Sequence, residues 1–524
     1  MAKGRKLKGK KRFESRWVTI RIDDSGPERN MTVGQALEYA RALYSRNQYK
    51  SAAKLASTIA SKVPKYTYPL NLAADCYLIL EQLDAAKRAI DAALAIDKTD
   101  WATLRAQASL YRQMDRYEDA INVLQKAIKI HPRNSVLYEN YATLYVELGE
   151  YDQAIRYYKA ALKNNPKSAI AMRLKTDIPG GALTPREVNL ANKLLESGEL
   201  PAEQGRDAHF ALAQTYEVSG DLELQMQHLH AANKLQRSLL DYHSDRELKS
   251  LDYIRNTFTP QLYIDNPSKA QARGEGLIFI VGMPRCGSSL AEQILSNHPL
   301  VSAAGESNGL TLALREVVPN TSLTAVSEVL AGSTAAKLDR LADIYLKITE
   351  PFRNSEFMTD KTLGNYYFLG LIPLVFPGAK IVHTFRHPID NCLGCYRRLF
   401  NGTAWSFTYD LEELAIAYES YQAMMRHWHT MIPSKIFDLE YEALVTDQET
   451  VTRALLNYCD LAWDEQCLDF TSNTRAVRTN SAAQVRGQLN TDAVARWETY
   501  REHLQPLLRL KPFRPGEING QSSA

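Results

Sequence analysis

The chain has 524 residues, of which 45% are hydrophobic and 23% are charged, and its formal net charge is +3. This length exceeds one ordinary domain, so we expect two or three, and the near-balanced charge gives no indication of nucleic-acid binding. No apolar run reaches about 18 residues, so we expect no membrane span. Scattered cysteines are typical of reduced thiols in the cytoplasm rather than of a disulfide framework; they are Cys76, Cys286, Cys392, Cys395, Cys459 and Cys467.

The chain begins with a basic segment, residues 1–12, that carries seven Lys or Arg. Such a run is typical of a solvated arm, and contact with phosphate groups or a membrane surface is the alternative. No apolar segment follows it, so we do not expect a secretory signal. We therefore predict a basic, flexible arm over residues 1–33.

A repeat with a period of 34 residues follows the arm. Its small or apolar positions fall into three registers: Ala40, Ala74, Ala108 and Ala142; Ala52, Ala86, Ala120 and Ala154; and Ile59, Ala93, Ala127 and Ala161. Larger residues recur at Leu43, Tyr77, Tyr111 and Tyr145, and the helix-ending position is occupied by Pro64, Lys98, Pro132 and Pro166. This pattern predicts pairs of antiparallel helices that cross closely at small side chains and stop near proline.

Four units in register resemble the tetratricopeptide repeat, over about residues 34–168. The resemblance implies a helical solenoid whose concave groove holds a protein or peptide; a spacer or a surface for homodimerisation remains open. Residues 169–265 lose the register, and we interpret them as an irregular helical linker with a further helical pair near 209–235, where Gly220 and Asp221 form the turn.

A strand, a glycine-containing loop and a helix are predicted over residues 276–297. Leu277 to Val281 is a continuous apolar run, as expected for a strand covered on both faces, and helical spacing of apolar residues begins at Ser289. In this arrangement, backbone N–H groups and the helix N-terminus bind an anion.

The loop departs from the P-loop of nucleotide triphosphatases at one position. Gly282, Gly287 and Ser289 match that motif, but Ser288 stands where the lysine would be. Since that lysine contacts the β- and γ-phosphates, its loss disfavours a triphosphate donor with Mg²⁺. The loop instead suits a donor with one phosphate at the 5′ position.

Gly282-Met-Pro-Arg-Cys-Gly-Ser-Ser-Leu290 resembles the 5′-phosphosulfate loop of sulfotransferases that use 3′-phosphoadenosine 5′-phosphosulfate (PAPS). It is most similar to protein-tyrosine sulfotransferases and to bacterial sulfotransferases with tetratricopeptide repeats. The resemblance implies an α/β P-loop-like sulfotransferase domain with a central parallel sheet over residues 276–512, followed by a flexible tail at 513–524. It also implies a donor-binding loop formed by Arg285, Cys286, Gly287, Ser288 and Ser289, with no metal ion.

A second signature, residues 379–398, reads as a strand that ends at an arginine, then a turn and a helix. In the family, the arginine and a serine eight positions later hold the 3′-phosphate of the donor. Arg386 matches the arginine, whereas the serine position is Gly394, so this grip is expected to be weakened or shared differently. Arg398 matches a further donor-binding arginine, and Arg397 adds charge beside it; a solvated helix face is the alternative for this pair.

The resemblance also implies the residues that perform the chemistry. Glu306 matches the base that takes the acceptor proton, and Lys361 matches the lysine that stabilises the leaving oxygen. Ser481 matches a serine that donates to sulfonate or phosphate oxygens, and Arg285 acts with these three. Asp360 is expected to be a surface acid. His298 and His383 are the alternative bases, but we expect His298 to cap the helix that follows the loop and His383 to lie in the core.

Further donor contacts are implied with less complete motif agreement. Tyr441 matches a tyrosine on the adenosine side, Gln484 and Arg486 lie in a loop that closes over the nucleotide, and Arg496 stands where the tyrosine enzymes have a lysine. We therefore predict sulfuryl transfer from PAPS, with adenosine 3′,5′-bisphosphate as the product, to a protein or peptide tyrosine. A small-molecule, glycan or lipid hydroxyl, a non-catalytic scaffold and a metal-free nucleotide kinase are the alternatives.

Overall fold

The computed structural model describes residues 13–21, 27–265, 272–318, 335–470 and 491–514. The chain divides into two compact units, Met1–Leu194 and Leu195–Ala524. The sequence instead predicts a boundary after residue 168, where the repeats end, and another after residue 265, where the helical linker ends. No helix in the described parts of the chain is long and apolar enough to cross a membrane.

The first unit opens with an antiparallel hairpin of β1 (Trp17–Arg21) and β2 (Glu28–Thr32), in which Trp17 pairs with Thr32. Val18 and Ile20 alternate with exposed residues and pack against the first helices. This hairpin corrects part of the expected flexible arm: a short segment whose buried and exposed residues alternate, as in β1, can form a half-buried strand pair. The basic run at 1–12 lies outside the described residues.

Eight helices then form four consecutive antiparallel pairs. They are α1 (Val33–Ser45), α2 (Tyr49–Lys62), α3 (Thr67–Ile79), α4 (Leu83–Ile96), α5 (Trp101–Gln113), α6 (Tyr117–Ile130), α7 (Ser135–Leu148) and α8 (Tyr151–Asn164). All twelve small or apolar repeat positions are buried. The second helix of each pair ends two residues before Pro64, Lys98, Pro132 or Pro166. The predicted solenoid is therefore present. α9 (Ala169–Thr176) and α10 (Pro185–Glu196) follow it.

The second unit begins with a helical hairpin, α11 (Ala202–Ser219) and α12 (Leu222–Ser238). Gly220 adopts the left-handed conformation that ends α11, and the Asp221 side chain caps α12. The predicted pair and its turn are thus observed. Asn233 Nδ2 on α12 donates to the carbonyl oxygen of Tyr396 at 2.9 Å, so the hairpin packs on the sheet domain.

A five-stranded parallel sheet occupies the centre of this unit, in the order β4-β5-β3-β6-β7. The strands are β3 (Leu277–Val281), β4 (Val301–Ala303), β5 (Phe357–Asp360), β6 (Lys380–Phe385) and β7 (Ile436–Glu440). Side chains of β3 alternate between two hydrophobic clusters, Leu277, Phe279 and Val281 in one and Ile278 and Ile280 in the other. Both faces of the sheet are therefore covered, as the continuous apolar run predicts.

Helices surround the sheet and complete the unit. They are α13 (Ser244–Thr257), α14 (Pro260–Asp265), α15 (Ser288–Ser296), α16 (Gly309–Val317), α17 (Ala335–Thr349), α18 (Ile372–Val375), α19 (Pro388–Tyr396), α20 (Leu411–Met431), α21 (Tyr441–Thr446) and α22 (Gln448–Tyr458). Short 3₁₀ helices occupy Glu350–Phe352, Leu363–Leu371, Ser406–Tyr409, Glu465–Leu468, Arg496–His503 and Gln505–Arg509. Phe513, expected in the tail, is buried against His383 and Phe385; residues 515–524 lie outside the described part.

Candidate active site at the carboxyl edge of the sheet

The carboxyl ends of all five parallel strands meet at one edge of the sheet, which is where ligands bind in open α/β folds. Several of the predicted site residues follow these strand ends closely. In spatial order the strands lead to Glu306, Lys361, the loop at 282–287, Arg386 and Tyr441. The loop thus has the predicted acid–base pair on one side and the predicted 3′-phosphate arginine on the other.

The loop at 282–287 makes a tight turn that glycine permits. Gly282 has a φ of 152°, and a Cβ there would lie 2.3 Å from the carbonyl oxygen of Thr384. Gly287 has a φ of 98°, and a Cβ there would lie 2.6 Å from Cδ2 of Tyr441. The helix α15 starts immediately after it, one residue before the predicted start, so its positive N-terminal end borders the loop.

The two sequence signatures, about a hundred residues apart, are in direct contact. Cys286 Sγ lies 2.9 Å from Thr384 Oγ1, and Cys395 Sγ lies 3.1 Å from the carbonyl oxygen of Pro284. Thr384 Oγ1 also donates to the carbonyl oxygen of Val281 at 3.2 Å. The phosphate-loop strand and the strand that leads to Arg386 therefore form one structural element of the site. Burial raises the pKa of the Cys286 and Cys395 thiols, so both favour the neutral form.

Several guanidinium groups converge behind the loop. Arg285 has the left-handed φ of 67°. Burial, followed by the positive charge of Arg398, lowers the pKa of Arg285 to about 9, and Arg386 and Arg397 contribute in the same direction. A bound anion would reverse this repulsion, so the cluster favours a ligand with negative charge.

Arg386 is a mostly buried side chain that retains hydrogen-bonding capacity. Its guanidinium lies 4.8 Å from the centre of the Tyr441 ring, and its Nη2 donates to the carbonyl oxygen of Ala493. The carboxylates of Asp390 and Glu442 lie 4.0 and 3.8 Å away, which is beyond a good hydrogen bond. Within the described residues, Arg386 Nε has no acceptor.

Gly394 lies on α19 and faces Arg285. A Cβ at this position would lie 3.1 Å from Cβ and 3.6 Å from Cγ of Arg285. The glycine therefore leaves room for the aliphatic part of the Arg285 side chain, which lies within the phosphate loop. A serine at 394 would meet the same part of that side chain.

Arg397 and Arg496 share one carboxylate that the sequence did not identify. Glu217, near the end of α11, accepts from Arg496 Nη2 at 2.8 Å and pairs with Arg397 Nη2. Burial alone would raise the pKa of Glu217, but the attraction of Arg397 and Arg496 lowers it. Arg397 is thus a paired, buried cation rather than a solvated one. Residue patterns could not reveal these contacts, because Glu217 lies 180 positions before Arg397 and 279 before Arg496.

Glu306 and Lys361, predicted as base and leaving-group cation, form an ion pair. Lys361 Nζ lies 2.9 Å from Glu306 Oε1. The lysine side chain is 1% exposed, whereas the glutamate is 53% exposed. The accessible carboxylate of Glu306 can therefore contact a substrate at the carboxyl edge of the sheet, while the buried ammonium group of Lys361 holds it in place.

Asp360 is buried, which corrects the expectation of a surface acid. It lies at the end of β5, where hydroxyl groups of Ser307 and Tyr345 donate to it. Burial raises its pKa. The signal in the sequence was the short run before Asp360, Phe357 to Thr359, which forms the covered strand β5. An acid at the end of a covered strand is buried and needs hydrogen-bond partners.

The two alternative histidine bases are engaged elsewhere. His298 is buried just after α15, and its Nε2 lies 3.1 Å from the carbonyl oxygen of Ala462. His383 is buried on β6, where Nδ1 lies 2.6 Å from Asp438 Oδ1. His383 lies in the core as predicted, whereas the described contacts of the His298 ring are to Ala462 and to the Leu300 amide, not to the end of α15 as a cap would require. Ser481, Gln484 and Arg486 lie outside the described residues, so their roles stay predictions.

Comparison with known proteins finds one match in the helical repeats and another in the domain with the parallel sheet. Residues 278–465 match the model of the sulfotransferase family, and residues 111–178 match that of the tetratricopeptide repeat. An uncharacterised protein of Aquifex aeolicus (strain VF5) is 29% identical over 348 residues, which are 62% of this chain and 44% of that protein. This chain thus spans less than half the length of that relative.

Two other similarities are more distant. A putative protein-tyrosine sulfotransferase of Caenorhabditis briggsae is 24% identical over 235 residues, which are 43% of this chain and 81% of the relative. The solved sulfotransferase domain from the curacin biosynthetic pathway is 16% identical, with a TM-score of 0.32 over 47% of this chain and 96% of that domain.

Proposed function

We propose that the chain transfers the sulfuryl group of PAPS to a hydroxyl group of an acceptor, since residues 278–465 match the model of the sulfotransferase family. The observation that carries this proposal is the arrangement along one sheet edge. The Glu306–Lys361 pair, the lysine-free phosphate loop and Arg386 follow strands β4, β5, β3 and β6 in spatial order.

The described residues fit the donor. Neighbouring parallel strands are about 4.8 Å apart, so the loop and Arg386 can contact two phosphate groups of one nucleotide. Arg386 Nε, buried and without an acceptor among the described residues, provides hydrogen-bonding capacity for one of them. Arg285 and the N-terminus of α15 provide positive charge for the other.

The bound donor would supply an activated sulfuryl group, whose bond to the 5′-phosphate oxygen breaks as a new bond forms between sulfur and the acceptor oxygen. Glu306 takes the proton that the acceptor hydroxyl loses. Lys361 donates a hydrogen bond to the oxygen that leaves with the phosphate, and Arg285 compensates charge on the transferred group. Because Lys361 is buried beside Glu306, the two groups act within a few ångströms of each other.

We propose a protein or peptide tyrosine as the acceptor. The relative from Caenorhabditis briggsae carries the name of a putative protein-tyrosine sulfotransferase, which supports this choice. The repeat unit supports it as well, since helical-repeat solenoids present extended surfaces suited to peptides. A small-molecule, glycan or lipid hydroxyl is the competing acceptor.

Binding of adenosine 3′,5′-bisphosphate tests the donor assignment. We expect this nucleotide to raise the melting temperature, while ATP with Mg²⁺ does not. Arg386→Met should abolish the shift, whereas Arg453→Met should preserve it, because Arg453 is an exposed residue paired with Glu449 on α22. Stabilisation by ATP with Mg²⁺ alone would overturn the sulfotransferase proposal in favour of a kinase.

Transfer of labelled sulfate tests the acceptor. The full chain should be incubated with labelled PAPS and a tyrosine peptide, with the matched phenylalanine peptide as control. Label on the tyrosine peptide alone supports the proposal. Label on simple phenols, glycans or lipids but not on the peptide would overturn the tyrosine assignment and leave sulfuryl transfer intact.

A further inference from the structure

The backbone around Glu306 is held by two buried carboxylates, one before and one after it. Glu292 binds the amide of Gly305, and Asp360 binds the side chain of Ser307. We propose that Glu292 and Asp360 are positioning residues that fix the catalytic glutamate in reach of Lys361 and the donor loop. This inference rests on the proposed function of Glu306 as the base.

Glu292 acts from the phosphate-loop helix. Its side chain is buried, and Oε1 accepts from the Gly305 amide at 3.0 Å and from Thr359 Oγ1 at 3.2 Å. One oxygen thus ties the segment before Glu306 to strand β5. A buried carboxylate retains such a place only when donors satisfy it.

Asp360 acts from the end of β5. Its Oδ2 accepts from Ser307 Oγ at 2.8 Å and from Tyr345 OH at 3.0 Å, while Oδ1 accepts from the Thr362 amide at 3.0 Å. Asp360 therefore fixes the residue after Glu306 and the strand end that carries Lys361. The sequence analysis assigned a positioning role to neither acid; it took Asp360 for a surface acid.

Main-chain hydrogen bonds extend the same arrangement. The amide of Lys361 donates to the carbonyl oxygen of Gly305 at 2.8 Å. The amide of Ala304 donates to the carbonyl oxygen of Thr359 at 2.9 Å. Glu306 and Lys361 are thus attached to each other through backbone as well as through their ion pair. The position of one constrains the position of the other.

The arrangement also connects the base to the donor loop. Glu292 lies four residues after Ser288 on α15, so both lie on one side of this helix. The helix presents its N-terminus to the loop and, one turn later, holds the Gly305 amide. A donor bound at the loop and an acceptor activated by Glu306 are thereby held at a fixed position relative to each other. Group transfer requires such a fixed position of the reacting groups.

Substitution of Glu292 separates this role from a general effect on folding. Glu292→Ala removes the acceptor of the Gly305 amide, and we expect kcat to fall roughly 10- to 100-fold while the KM for PAPS and the affinity for adenosine 3′,5′-bisphosphate change little. Glu292→Gln retains an oxygen for the same two donors, so it should restore kcat to within about threefold of the wild type. Ser307→Ala tests the other side and should lower kcat by a smaller factor.

Gln422→Ala is the matched control. Gln422 is a buried amide on α20 that donates to the carbonyl oxygen of Lys511 at 2.8 Å, so its loss also removes one buried hydrogen bond. We expect this variant to lose stability without losing kcat. Equal losses of kcat in Gln422→Ala and Glu292→Ala would overturn the positioning role.

Amide hydrogen exchange gives a readout that does not depend on activity. In Glu292→Ala, peptides covering residues 303–308 should exchange faster, while peptides from α20 should not change. Unchanged exchange at 303–308 would overturn the proposal even if transfer were impaired. If the wild type binds no adenosine 3′,5′-bisphosphate and transfers no sulfate, the proposed function fails, and the exchange experiment still decides whether Glu292 holds this segment.

Discussion

Lys361 Nζ lies 2.9 Å from Glu306 Oε1, and the two side chains differ sharply in exposure. The lysine is enclosed by the protein, whereas the glutamate borders solvent. An acceptor hydroxyl can therefore reach the carboxylate, while the ammonium group remains in a fixed place behind it. This asymmetry is consistent with the proposed roles of Glu306 as proton acceptor and of Lys361 as leaving-group cation.

Replacement of the base should remove transfer without removing donor binding. Glu306→Gln keeps the shape of the side chain but not its ability to take a proton, and we expect kcat to fall roughly 10²- to 10⁴-fold. Calorimetry with adenosine 3′,5′-bisphosphate should give a dissociation constant within about twofold of the wild type, a margin of about 0.4 kcal/mol. Transfer at the wild-type rate would exclude Glu306 as the base.

A pair of substitutions at Gly394 measures what a hydroxyl group adds at this place. Because a Cβ at 394 would meet Arg285 at 3.1 Å, both Gly394→Ala and Gly394→Ser displace the arginine slightly. The serine alone can donate to a phosphate, so it should bind adenosine 3′,5′-bisphosphate more tightly than alanine by about 0.5–1.5 kcal/mol. Equal affinities of the two variants would place position 394 out of reach of the phosphates.

Removal of the carboxylate at 217 should lower the stability of the fold and increase the stabilisation that the nucleotide provides. Glu217→Gln leaves Arg397 and Arg496 without a counter-charge, and we expect the free energy of unfolding to fall by about 3 kcal/mol. A bound anion compensates the same arginines, so adenosine 3′,5′-bisphosphate should raise the melting temperature more in this variant than in the wild type.

Glu413→Gln is the control for this experiment. Glu413 forms a two-point pair with Arg237 at 2.7 Å, with a degree of exposure similar to that of Glu217. Among the described residues it pairs with Arg237 and not with a predicted donor residue. We expect Glu413→Gln to lose a comparable amount of stability. Its melting temperature should rise with adenosine 3′,5′-bisphosphate by as much as that of the wild type. Equal nucleotide shifts in both variants would show that Glu217 has no part in the donor site.

Asp438 makes stability depend on acid. Burial alone would raise its pKa, but hydrogen bonds from His383 and His429 lower the pKa from the ordinary 3.8 to about 2. Since the folded value lies below the unfolded one, this carboxylate stabilises the fold above about pH 4, by about 2 kcal/mol, and the contribution disappears as the pH falls through about 2.

Chemical denaturation at several pH values measures this contribution. Asp438→Asn should be less stable than the wild type near neutral pH, and the difference should shrink as the pH approaches 2. A difference that stays constant between pH 7 and pH 2 would mean that the ionisation of Asp438 is not its source.

The sequence predicts those parts of the molecule in which one physical requirement governs a local segment. The apolar run Leu277 to Val281 forms the buried central strand because both faces of a parallel sheet are covered. The repeat alanines are buried because two helices can cross closely only over small side chains.

Contacts between distant segments were not accessible in this way. Glu217, Glu292 and Asp360 become interpretable only through partners supplied by other elements. The hairpin of β1 and β2 was missed for another reason, since Trp17–Arg21 and Glu28–Thr32 have only five residues each and the second is largely polar. Such strands depend on packing against neighbouring helices more than on their own composition.

The place of Glu217 on α11 has a practical consequence for dissecting the chain. A fragment that starts at residue 276 retains every strand of the parallel sheet but omits the acid that neutralises Arg397, and it omits the α12 contact to Tyr396. Such a fragment would carry an uncompensated guanidinium in its interior and would be prone to aggregation. The smallest piece fit for expression should therefore start upstream of α11, close to residue 195.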